Sequence, residues 1–92
     1  MINKNWQGIE PDPIALEREI ARLNEAVDAF AVVMKKKLEQ KAKEGWTGWD
    51  SLDAREAIYN NLLAHAAGFP LAARQEVDIA NLAMMLWRLN SI

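Results

Sequence analysis

From Pro13 to Glu44 no glycine or further proline interrupts the chain, and Leu16, Ile20, Leu23, Val27, Phe30 and Met34 recur there at intervals of 4, 3, 4, 3 and 4. That alternation is the seam of a coiled coil. Val33, Leu38 and Ala42 extend the apolar face. Asp12-Pro13 supplies the start signal, with a carboxylate to cap free amides and a proline whose missing N–H has no partner to lose at the first helical position. Gly45 supplies the stop as a left-handed cap. A continuous helix over this span is roughly 48 Å long at 1.5 Å per residue. A chain of 92 residues makes one domain at most, burying only about two thirds of its unfolded surface. The core behind such a helix cannot cover its whole length. Either the helix bends near Asn24–Asp28, or its first half pairs with another copy. The regularity of the seam through that region favours pairing, so a homo-oligomer is expected.

The rest of the chain reads as a helical hairpin. Asp50 or Ser51 caps a second helix, with Asp53 and Glu56 in its first turn and Ile58, Leu62 and Ala66 on one face. Gly68 and Pro70 end it. A third helix runs from about Leu71 to Leu89 and is apolar on nearly every side through "VDIANLAMMLW", the pattern of a central helix. The expected fold is therefore all-α. Residues 1–12 form an N-terminal arm with Trp6 as its one large anchor, and residues 13–92 form a single domain of a long helix plus a hairpin.

Composition closes several routes. There is no cysteine, hence no disulfide and no thiolate metal site. With 13 acidic and 11 basic residues the net charge is −2, whereas general nucleic-acid binding needs a basic excess. No apolar run approaches the roughly 18–20 residues of a membrane span, and "MINKNWQGIEPDP" lacks the apolar segment of a signal peptide. A soluble cytoplasmic protein is expected. Glycine-rich phosphate loops, paired-histidine metal spacing and serine elbows are absent from the sequence.

One stripe on the third helix breaks its apolar character. Arg74, Asp78, Asn81, Met85 and Arg88 recur at 4, 3, 4 and 3 and share a face. A carboxylate and an amide on a mostly buried helix need partners, because burying each one unpaired costs on the order of 1–3 kcal/mol. They either bond across helices or meet a ligand, and the two arginines suit phosphate or a salt bridge to Asp78 equally well.

"EGWTGWD", followed by a helix, a Gly-Pro turn and "EVDIANLAMMLW", resembles small phage-encoded helical proteins, and through them the MazG-like all-α nucleotide pyrophosphohydrolases. The likeness covers roughly residues 26 to 90, with "VDIANLAMM" as its most specific part. It implies a nucleoside triphosphate held between helices, and magnesium held by a Glu-Glu-x-x-Glu run on one helix and a Glu-x-x-Asp pair on the next. Asp78 fits the aspartate of that pair. Gln75 stands in place of its glutamate, beside Glu76; Asn60 and Asn61 take the place of the first two glutamates, and Leu63 or Ala64 that of the third. Magnesium wants several hard oxygen ligands with carboxylate charge. The resemblance thus implies a pocket retained and most of the metal chemistry lost.

Under that resemblance the remaining residues take two readings each. Trp46 and Trp49 straddle the turn after the first helix; they pin the corner, or one ring stacks on a base, worth about 1–3 kcal/mol. Lys35, Lys36, Lys37, Lys41 and Lys43 complement the helix dipole, or bind phosphate. His65, the one histidine, is a surface or capping group, or a ligand contact. Met84 and Met85 fill the core, or line a pocket.

The expected function is non-catalytic binding of a nucleotide-derived small molecule through Trp46, Trp49, Lys41, Asn61, His65, Arg74, Asp78 and Asn81. For a phage-type protein this implies sequestering a nucleotide messenger of host defence in the host cytoplasm. No catalytic residue, metal ligand or cofactor is assigned. The alternative is a magnesium-dependent pyrophosphohydrolase with carboxylates drawn from Asp50, Asp53, Glu56, Glu76 and Asp78. A third reading is a helical protein-interaction module.

Overall fold

The computed structural model describes residues 12–67 and 75–91. It is all-helical, with no strand among the described residues. In chain order it has α1 (Pro13–Lys43), a 3-10 turn (Leu52–Ala54), α2 (Arg55–Ala66) and α3 (Gln75–Asn90). Trp6, Gly68, Pro70, the start expected for the third helix at residues 71–74, and Arg74 lie outside the described residues.

α1 is one uninterrupted helix through Asn24–Asp28. Asp12, in extended backbone, accepts a 2.7 Å hydrogen bond from the Ala15 N–H through Oδ1, and Pro13 takes the first helical position. At the other end the Gly45 N–H donates to the Ala42 carbonyl at 3.0 Å and the Trp46 N–H to the Lys41 carbonyl at 3.1 Å. These paired bonds make the Schellman closure, which needs a left-handed residue, and Gly45 supplies it with φ +99°. Gly48 is also left-handed, φ +85°. The chain then turns into the hairpin, where Ser51 is the capping residue: its Oγ accepts from the Asp53 N–H at 3.2 Å. The cap serves a 3-10 turn holding Asp53, and α2 proper starts three residues later with Glu56 in its first turn.

α2 packs on α3, and α3 packs against α1. Ile58, Val77 and Leu89 are the buried apolar side chains among the described residues, joined by the polar Asn81. Arg55 at the start of α2 reaches Asn90 at the end of α3 (3.4 Å), tying the open end of the hairpin. The sequence pattern places α3 at the centre, and it does lie between its neighbours. Its apolar girth is not all buried, however: Trp87 remains 65% exposed, because two neighbouring helices enclose only part of the circumference of a third.

α1 is covered over its second half alone. Phe30, Met34, Lys37, Leu38 and Lys41 are half-buried, while Leu16, Ile20, Leu23 and Val27 stay exposed, and no α1 residue is fully buried. No helix of the described residues is long and apolar enough to cross a membrane.

Candidate functional site

Each helix turns one stripe toward a common cavity of about 780 Å³. α1 contributes Lys37, Leu38, Lys41 and Ala42; α2 contributes Ile58, Asn61 and His65; α3 contributes Asp78, Asn81, Leu82 and Met85. These spacings of three and four are what places side chains on one helical face. The turn between the first two helices closes one end with Trp46, Gly48 and Trp49. Trp46, Trp49, Lys41, Asn61, His65, Asp78 and Asn81, selected above from sequence, therefore all stand on one wall system. Met84 and Met85 are half-buried and line the same space. Arg88 is exposed and not part of the lining.

The Schellman closure explains the local geometry of Trp46. It puts Trp46 at the second residue past the cap and opposite Lys41, three from the helix end, a pair of positions that meet in this motif. The Lys41 ammonium lies 5.7 Å from the centroid of the Trp46 ring, a cation–π contact. Trp46 is 69% exposed and Trp49 half-buried, so Trp46 is the more open of the two rings at the rim.

Asn81 is the buried polar side chain of the site, 5% exposed. Its Nδ2 donates to the Met34 carbonyl of α1 at 3.4 Å. Since a backbone carbonyl can only accept, this bond fixes which end of the amide faces α1. The other end, Oδ1, is buried and has no hydrogen-bond partner. An acceptor left so costs on the order of 1–3 kcal/mol.

One helical turn earlier, Asp78 pairs with Lys37 at 4.0 Å, both side chains roughly a quarter to a third exposed. α1 thus faces Asp78 with Lys37, one of the lysines that the sequence assigns either to the helix dipole or to phosphate. The others of that group are partly neutralised, Lys41 by Glu44 (3.8 Å) and Lys43 by Glu39 (3.1 Å), and Lys35 and Lys36 are exposed. His65 is half-buried on the wall rather than at the surface, and its Nδ1 lies 2.5 Å from Gln75 Oε1. An amide oxygen only accepts, so in this contact Nδ1 is the donor.

A magnesium ion does not suit this donor set. Asp78 and Glu39 are the carboxylates on the wall, each beside a lysine, and no three His, Asp or Glu side chains come together among the described residues. A second depression, beside Lys36, Gln40 and Lys43, is bounded by the end of α1 alone and is a surface groove. Lys37 and Gln75 are the site residues that sequence reasoning did not select. Lys37 had a signal, four residues before Lys41 on the same face; Gln75 had none beyond its place in the resemblance. No family model, curated protein or solved structure matches this chain.

Proposed function

We propose that this protein binds a nucleotide-derived small molecule without cleaving it. The observation that carries the reading is a cavity of about 780 Å³ whose wall combines an exposed tryptophan at the rim, lysines and the polar side chains of Asn61, Asp78 and Asn81. A flat, anionic guest with polar edges suits all three at once. Trp46 stacks on the base, Lys41 meets the anionic part, and Asn61, Asp78 and Asn81 read the polar edges. The mostly apolar remainder of the wall, including Leu38, Ile58 and Leu82, suits burial of the ring. The shortage of carboxylates favours binding over metal-assisted hydrolysis. Joined to the resemblance with small phage-encoded proteins, the reading extends to a nucleotide messenger of host defence held away from its receptor in the host cytoplasm.

The exposed half of α1 belongs to the same proposal as a homodimer seam. β-Branched Ile20 and Val27 alternate with Leu16 and Leu23 at the two core positions of the heptad, the combination that favours two parallel strands.

Two measurements test the binding reading. Protein purified from its expression host is denatured and the released small molecules identified by mass spectrometry; nucleotides are then added back in a thermal-melt assay. An intact nucleotide, with a melting temperature raised on adding it back, is the expected result. Pyrophosphate released from a nucleoside triphosphate with magnesium, and lost in Asp78→Ala, would replace binding with catalysis.

A further inference from the structure

The bare face of α1 and the face that α3 covers are the same face. Leu16, Ile20, Leu23 and Val27 hold the two core positions of the seven-residue repeat, and further along the same positions fall to Phe30, Met34, Lys37 and Lys41. The first group is 47% to 65% exposed and the second half-buried. α3 supplies the cover: Asn81 donates to the Met34 carbonyl at 3.4 Å, and Asp78 pairs with Lys37 at 4.0 Å. One uninterrupted helix, Pro13–Lys43, thus turns its seam first to solvent and then to α3.

This restricts the direction in which a second copy can lie. Two parallel helices in register face each other along their whole length, with axes about 8–10 Å apart. From Phe30 onward each already carries its own α3 on the facing side, and a helix with its side chains is about 10–12 Å across. Neither α3 fits in that gap. Alternating leucine and β-branched residues favour parallel strands when both helices are free throughout; α1 is not, and the steric conflict overrides that preference. Resting on the homodimer seam proposed above, we infer that the first half of α1 pairs antiparallel with the first half of a second copy.

The bare stretch has the length and symmetry of that partner. Its spacing of 4, 3 and 4 reads the same in both directions and is centred between Ala21 and Arg22. Pro13, where α1 starts, and Phe30, where its burial starts, are centred on the same point. A two-fold axis there sets Leu16 opposite the partner's Val27 and Ile20 opposite the partner's Leu23. It also brings the partner's Pro13 level with Phe30, so the incoming helix ends where α3 takes over. At the flanking positions Glu17 meets the partner's Asn24 and Glu19 the partner's Ala26, so no acid faces an acid. The two cavities come to lie at opposite ends of a rod, with the Lys41 positions roughly 58 Å apart at 1.5 Å per residue. Neither cavity borders the other, and each copy binds its guest independently.

The sequence contains no cysteine, so introduced cysteines report the orientation directly. Leu16→Cys and Val27→Cys are purified as full chains, oxidised separately, and oxidised again as a mixture. A disulfide-linked dimer in the mixture, with none from either variant alone, is the expected result. Cross-links within each variant alone, and none between the two, give parallel pairing; they overturn the antiparallel arrangement and leave the homodimer standing. No cross-link in any sample, together with a monomeric mass for the unaltered chain, removes the dimer as well and leaves the seam to a helix of another protein. A second measurement avoids the seam altogether. Lys36, exposed and off the core positions, is replaced in Lys36→Cys and spin-labelled. Antiparallel copies place the labels roughly 45 Å apart at 1.5 Å per residue, whereas parallel copies place them within two helix diameters, about 25 Å. The distance decides the orientation even where a cysteine in the seam weakens pairing.

Discussion

Along α1, Leu16, Ile20, Leu23 and Val27 remain 47% to 65% exposed, whereas Phe30, Met34, Leu38 and Lys41 on the same helix are half-buried against α3 and the cavity. Both stretches carry the same 4, 3, 4 alternation, and nothing in helix propensity separates them. The difference is in what lies opposite. α3 has 16 residues against the 31 of α1, so one helix cannot shadow the other, and the side chains beyond its reach are apolar without being inside. Periodicity specifies a face; it does not specify the partner that covers it. The covered half spends its face on a cavity wall, where Lys37 and Lys41 replace the apolar residues a packed core would hold. The bare half keeps an unbroken apolar seam.

The largest effect is expected where the hairpin is tightest. Leu89, 1% exposed, is the most buried side chain among the described residues, and Leu89→Ala should cost about 2–5 kcal/mol. With three buried apolar side chains among the described residues, this removes much of the stability, read as a large drop in the urea midpoint. Val27→Ala removes apolar volume from a side chain 65% exposed in the isolated chain. It should cost a few tenths of a kcal/mol if α1 stands alone, and considerably more if the seam is paired.

Pairing itself is broken by charge at the β-branched positions. Ile20→Glu combined with Val27→Glu should turn a dimer into a monomer in sedimentation equilibrium, forfeiting about 1.5–3 kcal/mol for each apolar side chain left in water. The unaltered protein should melt at a temperature that rises with its concentration, and the double variant should not. A concentration-independent melt and a monomeric mass for the unaltered chain would show that the bare half of α1 has another use.

The cavity side of the comparison is sharpened by the two tryptophans. Trp46→Ala should weaken nucleotide affinity by about 1–3 kcal/mol and barely move the melt, since its ring is already 69% exposed. Trp49→Ala should do the reverse, lowering the melting temperature by loosening the corner. Loss of stability in Trp46→Ala with affinity intact would make Trp46 a structural residue.

Much of this was legible in the chain itself because the signals are local. Asp12-Pro13 and Gly45 mark the ends of α1 within a few residues of themselves, and the stripe containing Asp78 and Asn81 follows from helical period alone. The partners were not legible, since each lies far along the chain. Five lysines crowd the end of α1 at spacings that all look alike, and only the docking of α3 selects Lys37 for Asp78. Met34 contributes to the site through its carbonyl, which every residue has, so its side chain gave no clue to the bond with Asn81. Gln75 on α3 meets His65 on α2, a contact between two helices that no helical spacing encodes. The 3-10 turn at residues 52–54 escaped because Ser51 caps either kind of helix equally well.

The smallest effect discriminates most cleanly between the two halves. Asp12→Ala removes the hydrogen bond to the Ala15 N–H, a change worth about 1 kcal/mol in a helix that unfolds as a unit. Whether that energy reaches global stability depends on coupling. If the first half of α1 is unpaired, its opening turns exchange with solvent independently of the hairpin, and losing the cap only shifts that local equilibrium. Global stability then stays constant while amide protection falls over the first turns of α1. If the seam is paired, the same residues open only when the dimer does, and the full 1 kcal/mol or so appears in the dimer's denaturation. Gly45→Ala is the control at the far end: it forces a Cβ onto φ +99° next to the packed hairpin, where the strain must appear globally whatever the oligomeric state. Equal global costs at both ends mean that α1 is held along its whole length by a second copy; a cost at Gly45 alone means that it is held only where α3 touches it.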